Sequence, residues 1–186
     1  ASPPNPPLCD KRLGNWAPPV PAAVAELEVE PREVDGHFWP FAYPLEDGSA
    51  YIVVATTRPE TMLGDTAVAV HPKDARYAHL IGKCVRLPIV GRPIPSIADD
   101  SAEPEKGSGA VKITPAHDFN DFKVGQRHCL PMINILDPFA RVNDAAPPAY
   151  RGLDRFAARR KVVAEIESLG LLRGVEAIRH TVPHGD

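Results

Sequence analysis

Apolar positions in the first half of the chain fall in short alternating or continuous runs, at residues 27–34, 37–43, 51–56 and 67–70, rich in aromatic and β-branched side chains. Such runs predict strands, and Asp35-Gly36 and Asp47-Gly48 supply the positive-φ turns that hairpins need. Further short strands are predicted at 83–87, 94–98, 110–113 and 132–136, the third stopped by Thr114-Pro115. Helical spacing is expected at 72–80, which opens on a proline, at 118–128, and most clearly at 154–169. In that last segment Phe156, Arg160, Val163, Ile166 and Leu169 recur at three- and four-residue intervals, Arg159, Lys161 and Glu165 form the outer face, and Gly170 closes the helix. Many strands with few helices between them predict an α+β domain with a barrel-like core and peripheral helices.

Proline clusters at 3–7 and 18–21 make residues 1–25 an extended lead-in, leaving 26–186 as one domain. A length of 186 residues suits a single core, and 44% apolar with 24% charged residues is ordinary for a globular chain with no bilayer span. The net charge of −3 gives no overall attraction to a polyanion, so any contact with nucleic acid must be local. Cys9, Cys84 and Cys129 are odd in number, widely spaced and without metal-type spacing. They argue against a disulfide framework or a zinc site, and for a reducing, cytoplasmic setting.

Chemistry concentrates in two places. At a predicted helix start, Asp118 and Asp121 are either an N-cap and a first-turn acid, or two carboxylates aimed at a cationic or hydroxylated ligand. The two readings are compatible. Thr56-Thr57-Arg58-Pro59-Glu60-Thr61 packs three hydroxyls, a guanidinium and a carboxylate into six residues, which suits either a polar site or a strand end with ordinary turn hydrogen bonds. Gly107-Ser108-Gly109 lacks the pattern of a phosphate-binding loop. His117, Asp118, Asp121 and His128 are metal-ligand types, but no other His or Cys falls at a helpful spacing, so neither metal nor cofactor is expected. Cys129 has no oriented base, and no nucleophile elbow occurs.

The long segments 55–74 (ATTRPETMLGDTAVAVHPKD) and 107–121 (GSGAVKITPAHDFND) closely resemble the editing insertion of valyl-tRNA synthetases, as do the flanking pieces 11–16, 150–156 and 180–186. The resemblance covers nearly everything after Leu8. Isoleucyl and leucyl enzymes carry related insertions, but Lys112-Ile-Thr-Pro-Ala-His-Asp118 with Asn120-Asp121 looks like the valyl form. Ala17 and Ser108 depart from the family's usual aspartate and threonine.

The resemblance implies a distorted β-barrel with peripheral helices, acting as a monomer, and a hydrolase that removes misattached threonine from the acceptor end of tRNA(Val). The rest of the synthetase would be its partner, since the signatures of the aminoacylation site are missing from this sequence. It further implies that Asp121 holds the substrate ammonium and Asp118 reads the threonine hydroxyl. Lys112 and Thr114 would line the same wall, with Thr56, Thr57 and Arg58 opposite; Asp121, Thr56, Thr57 and Lys112 would form the catalytic set, and Asp118, Asp121, Thr114, Arg58 and Thr56 would bind the substrate. A non-catalytic module that only holds the tRNA end is the competing reading.

Overall fold

The computed structural model describes residues 38–174. The lead-in at 1–25, the strand expected at 27–34 and the flanking motifs at 11–16 and 180–186 lie outside the described residues. Among the described residues six strands form: β1 (Trp39–Pro44), β2 (Tyr51–Thr56), β3 (Ala67–Val70), β4 (Cys84–Arg86), β5 (Pro93–Ala98) and β6 (Ala110–Ile113). The same residues form two α-helices, α1 (Phe119–His128) and α2 (Arg155–Ser168), and 3-10 turns at Pro59–Gly64, Ala78–Leu80 and Pro148–Tyr150.

β1 and β2 make an antiparallel hairpin whose turn includes Gly48 at φ +78. The other four strands form a sheet in the order β4-β5-β3-β6, with β3 parallel to β5 and antiparallel to β6. β3 is buried on both faces, as its central position requires. Its valines, Val68 and Val70, join the main core with Phe41, Tyr43, Ile52 and Val54. Its alanines, Ala67 and Ala69, meet Val124 of α1 and Leu130 in a smaller cluster, where their small size lets α1 come close.

The α+β class holds, but among the described residues the ladders do not close into a barrel. The hairpin meets the sheet at the Leu45–Val85 bridge, and beside β6 through Ser108 Oγ, which donates to the Val53 carbonyl at 2.5 Å. A side-chain hydroxyl there takes the acceptor that a neighbouring strand's amide would need.

Two local expectations fail for a related reason, and the inner face of one helix differs. Residues 72–80 form turns with one short 3-10 segment instead of a helix, because the Asp74 carboxylate takes the Arg76 amide at 3.1 Å and its guanidinium at 2.7 Å. Residues 132–136 form no strand: the Ile135 amide donates to His117 Nε2 at 2.9 Å and the Leu136 amide to Asn134 Oδ1 at 3.0 Å. α2 buries Arg155, Ala158, Val162 and Ile166, so its inner face is rotated from the predicted stripe, and Phe156 and Leu169 stay exposed. Cys129 is disulfide-bonded, against the expectation from cysteine spacing, which carries no information about how closely two Cα atoms approach in space.

Candidate active site

β2 ends at Thr56, and the chain then turns sharply: the Thr56 hydroxyl oxygen accepts the Arg58 amide at 3.0 Å, and Pro59 opens a 3-10 turn. This turn is held from behind. Glu60, completely buried, receives Arg159 Nε at 2.7 Å and Nη2 at 3.0 Å, and Arg155 Nη2 at 3.4 Å, which ties the turn to α2. The carboxylate of the threonine-rich motif thus faces the helix, not the site. Gly64 ends the turn where a Cβ would stand 2.7 Å from the Ile133 carbonyl oxygen.

The opposite wall is β6 running into α1. Asp118 is the N-cap of α1, its Oδ1 accepting the Asp121 amide at 3.0 Å, while its Oδ2 lies 3.7 Å from Arg58. Asp121 Oδ2 accepts the Thr114 amide at 2.9 Å. Each carboxylate therefore has one oxygen engaged in shaping the loop, and the capping and ligand readings of Asp118 are both open to it. Arg58 Nη2 also donates to the His117 carbonyl at 2.6 Å and bridges the two walls.

Between the walls lies a polar cavity of about 160 Å³, lined by Thr56, Thr57, Arg58, Lys112, Thr114, Asp118 and Asp121, with Thr61, Ala55, Val111 and Phe38 beside them. All seven residues singled out in the sequence converge there. Phe38, 55% exposed, stands at this cavity and was not among them.

Protein atoms pack closely round Asp121, although part of it opens to the cavity, and this burial, with Asp118 next, raises its carboxyl to about 8. The folded chain without ligand thus favours a protonated Asp121 at neutral pH, and a cation in the cavity would draw that proton off.

Lys112 sits on the wall differently from the expected catalytic contact. It is 7% exposed, and its ammonium donates to Thr61 Oγ1 at 2.8 Å, Asp65 Oδ1 at 2.9 Å and Thr114 Oγ1 at 2.6 Å. Those are all three of its donors. Lys112 acts on the cavity as a fixed charge and not as a hydrogen-bonding hand.

Asp65 escaped the sequence reading although it lies inside the quoted motif. Its signal was indirect: a lysine at an inward position of β6 requires a buried counter-charge on a neighbouring segment. The metal reading dissolves in the same way, since His117 Nε2 is engaged by Ile135 and His128 Nε2 lies 2.8 Å from Asp99. Burial lowers the His117 imidazole to about 3, so it is neutral. Among the described residues no cluster suits a metal ion.

The fold is that of a segment of an aminoacyl-tRNA synthetase. The chain superposes over 81% of its length on 23% of the leucyl enzyme (LeuRS) in a ternary complex from Agrobacterium radiobacter K84, with a TM-score of 0.56 and 19% identity. No family model matches. In sequence, 95% of the chain aligns with the valine–tRNA ligase of Caulobacter vibrioides at 58% identity and with that of Dechloromonas aromatica at 59%. The chain is thus closely similar, over nearly its whole length, to one segment of valine–tRNA ligases. It spans about a fifth of these relatives' length, 22% and 19% respectively.

Proposed function

We propose that this chain is a post-transfer editing unit that hydrolyses threonine from mischarged tRNA(Val). The observation that carries the reading is the convergence of Asp118 and Asp121 with the turn at Thr56, Thr57 and Arg58 on one small polar cavity. Valine and threonine are near-isosteres, and an apolar synthetic pocket rejects an added hydroxyl poorly, so a second, polar sieve is needed. A site that hydrogen-bonds the hydroxyl disfavours valine, which would leave a polar group unpaired.

Asp121, ionised on meeting the substrate, pairs with the α-ammonium, and Asp118 accepts the threonine hydroxyl. Water adds to the ester carbonyl carbon, giving a tetrahedral oxyanion. The oxyanion then collapses, the bond to the ribose oxygen breaks, and that oxygen takes up the proton given up by the attacking water, leaving free threonine and the free terminal hydroxyl. No side chain here is needed as a nucleophile; water is positioned by threonine hydroxyls and by the tRNA's own terminal hydroxyl. The Arg58 amide is committed to Thr56 Oγ1, so the oxyanion would be met by the other backbone amides of the turn at Thr56 to Arg58.

Deacylation of threonyl-tRNA(Val) and valyl-tRNA(Val) by the wild-type chain, Asp121→Ala and Asp118→Ala tests the reading. Asp121→Ala should lose roughly 10²-fold or more in rate, and Asp118→Ala should lower the threonyl-to-valyl rate ratio. A chain that binds the acceptor end without hydrolysing either ester would instead be a holding module. Full activity in Asp121→Ala would sink the assignment.

A further inference from the structure

Behind the cavity wall, out of reach of any ligand in it, Asp65 stands just before β3 and is completely buried. Every side-chain hydrogen bond it makes is one it accepts: Tyr43 Oη at 2.7 Å on Oδ2, and Thr114 Oγ1 at 2.7 Å and Lys112 Nζ at 2.9 Å on Oδ1. Burial pushes its carboxyl above the ordinary value, and the Lys112 charge, with these hydrogen bonds, pulls the other way.

The direction of each hydrogen bond matters. The Thr114 hydroxyl gives its proton to Asp65 and accepts one from Lys112, and the Thr61 hydroxyl gives its proton to the Arg58 carbonyl at 2.9 Å and accepts from Lys112. Two hydroxyls on the cavity therefore have their protons directed away from it. What they can still offer a ligand is a lone pair. With Asp118 and, once a cation has drawn off its proton, Asp121 beside them, this wall is made of acceptors, and it suits a ligand that presents donors to it, such as an ammonium next to a hydroxyl.

We propose that Asp65 is a positioning residue that sets this polarity: it orients the Thr114 hydroxyl, draws the Lys112 ammonium back from the cavity and balances its charge, so that a cationic substrate group can enter. The proposal rests on the editing reading for the identity of that group. Without the Asp65 charge, Lys112 would stand uncompensated beside Asp121 and oppose a second cation.

The test uses the 186-residue chain and two non-hydrolysable probes, 3′-threonylamino-3′-deoxyadenosine and the same molecule with hydrogen in place of the α-amino group. Asp65→Asn, checked for folding by circular dichroism, should bind the ammonium probe about tenfold more weakly relative to the des-amino probe than the wild type does. General damage to the fold would weaken both probes together, and equal loss, or no loss, overturns the proposal. A second measurement needs no variant. In the wild type, the Thr114 hydroxyl proton and the Lys112 ammonium protons should give slowly exchanging NMR signals, and rapid exchange with water would overturn it. If the wild type binds neither probe, the editing reading fails, and the exchange measurement decides on Asp65 alone.

Discussion

Asp121 carries the residue-scale consequence that is easiest to measure. Its carboxyl, held at about 8 in the folded chain by burial and by Asp118, has an ordinary value of 3.8, so the folded state binds its proton more tightly than the unfolded state. The stabilisation is complete below the unfolded value and is lost as pH rises toward the folded one. Stability should therefore fall between those values by up to about 1.4 kcal/mol per pH unit, the limit for one proton. Asp121→Asn keeps a carbonyl for the Thr114 amide without the charge, and it should flatten this slope. Urea denaturation of both proteins at several pH values measures it, and parallel slopes would exclude Asp121 as the cause. Ligand binding has the opposite linkage. An ammonium entering near neutral pH should release up to about one proton, visible in calorimetry as a dependence on the buffer's ionisation enthalpy.

At the scale of elements, most of the fold was legible because it obeys simple periodicity. The predicted bounds of β2, β3 and β6 match the observed ones, and each of these strands has a burial pattern that its own residues dictate. The failures lie where side chains take over backbone partners, as Asp74 does for the expected helix and His117 for the expected strand. α2 was found, yet its inner face was misjudged because Arg155 is buried by an ion pair with Glu60, and no hydropathy pattern places an arginine inside. That pair predicts a large effect. Glu60→Ala removes the carboxylate from two guanidinium groups and should destabilise the chain by about 3–5 kcal/mol, since breaking a buried pair from one side leaves charge behind. The turn at Thr56–Arg58 should loosen with it. Gly64→Ala acts on the same turn by a different route, forcing a Cβ against the Ile133 carbonyl, at a cost of about 1–3 kcal/mol. Thermal or urea unfolding reads both, and wild-type stability in Glu60→Ala would show that α2 does not hold the turn.

For the molecule as a whole, the sequence made the candidate residues legible as a set that meets in one place, but not the contacts each of them makes. The seven singled-out residues meet in one cavity because two motifs, some fifty residues apart in sequence, end on facing strand termini. Sequence could not show that Lys112 is saturated or that Asp65 stands behind it, since both facts depend on which groups face one another across β3 and β6. Nor does the global charge supply what the cavity lacks. With a net charge of −3 the chain has no long-range pull on a polyanion, and its polar cavity is sized for the end of a substrate, not its body. On its own, the chain should therefore gain little from the rest of the tRNA. The kcat/KM for threonyl-tRNA(Val) is expected to lie within about tenfold of that for a threonyl ester of adenosine, and to change little between low and moderate salt. Measuring both substrates across a salt series decides the matter. A preference of several hundredfold for the tRNA, lost as salt rises, would mean that a local basic surface of this chain grips the nucleic acid despite the unfavourable total.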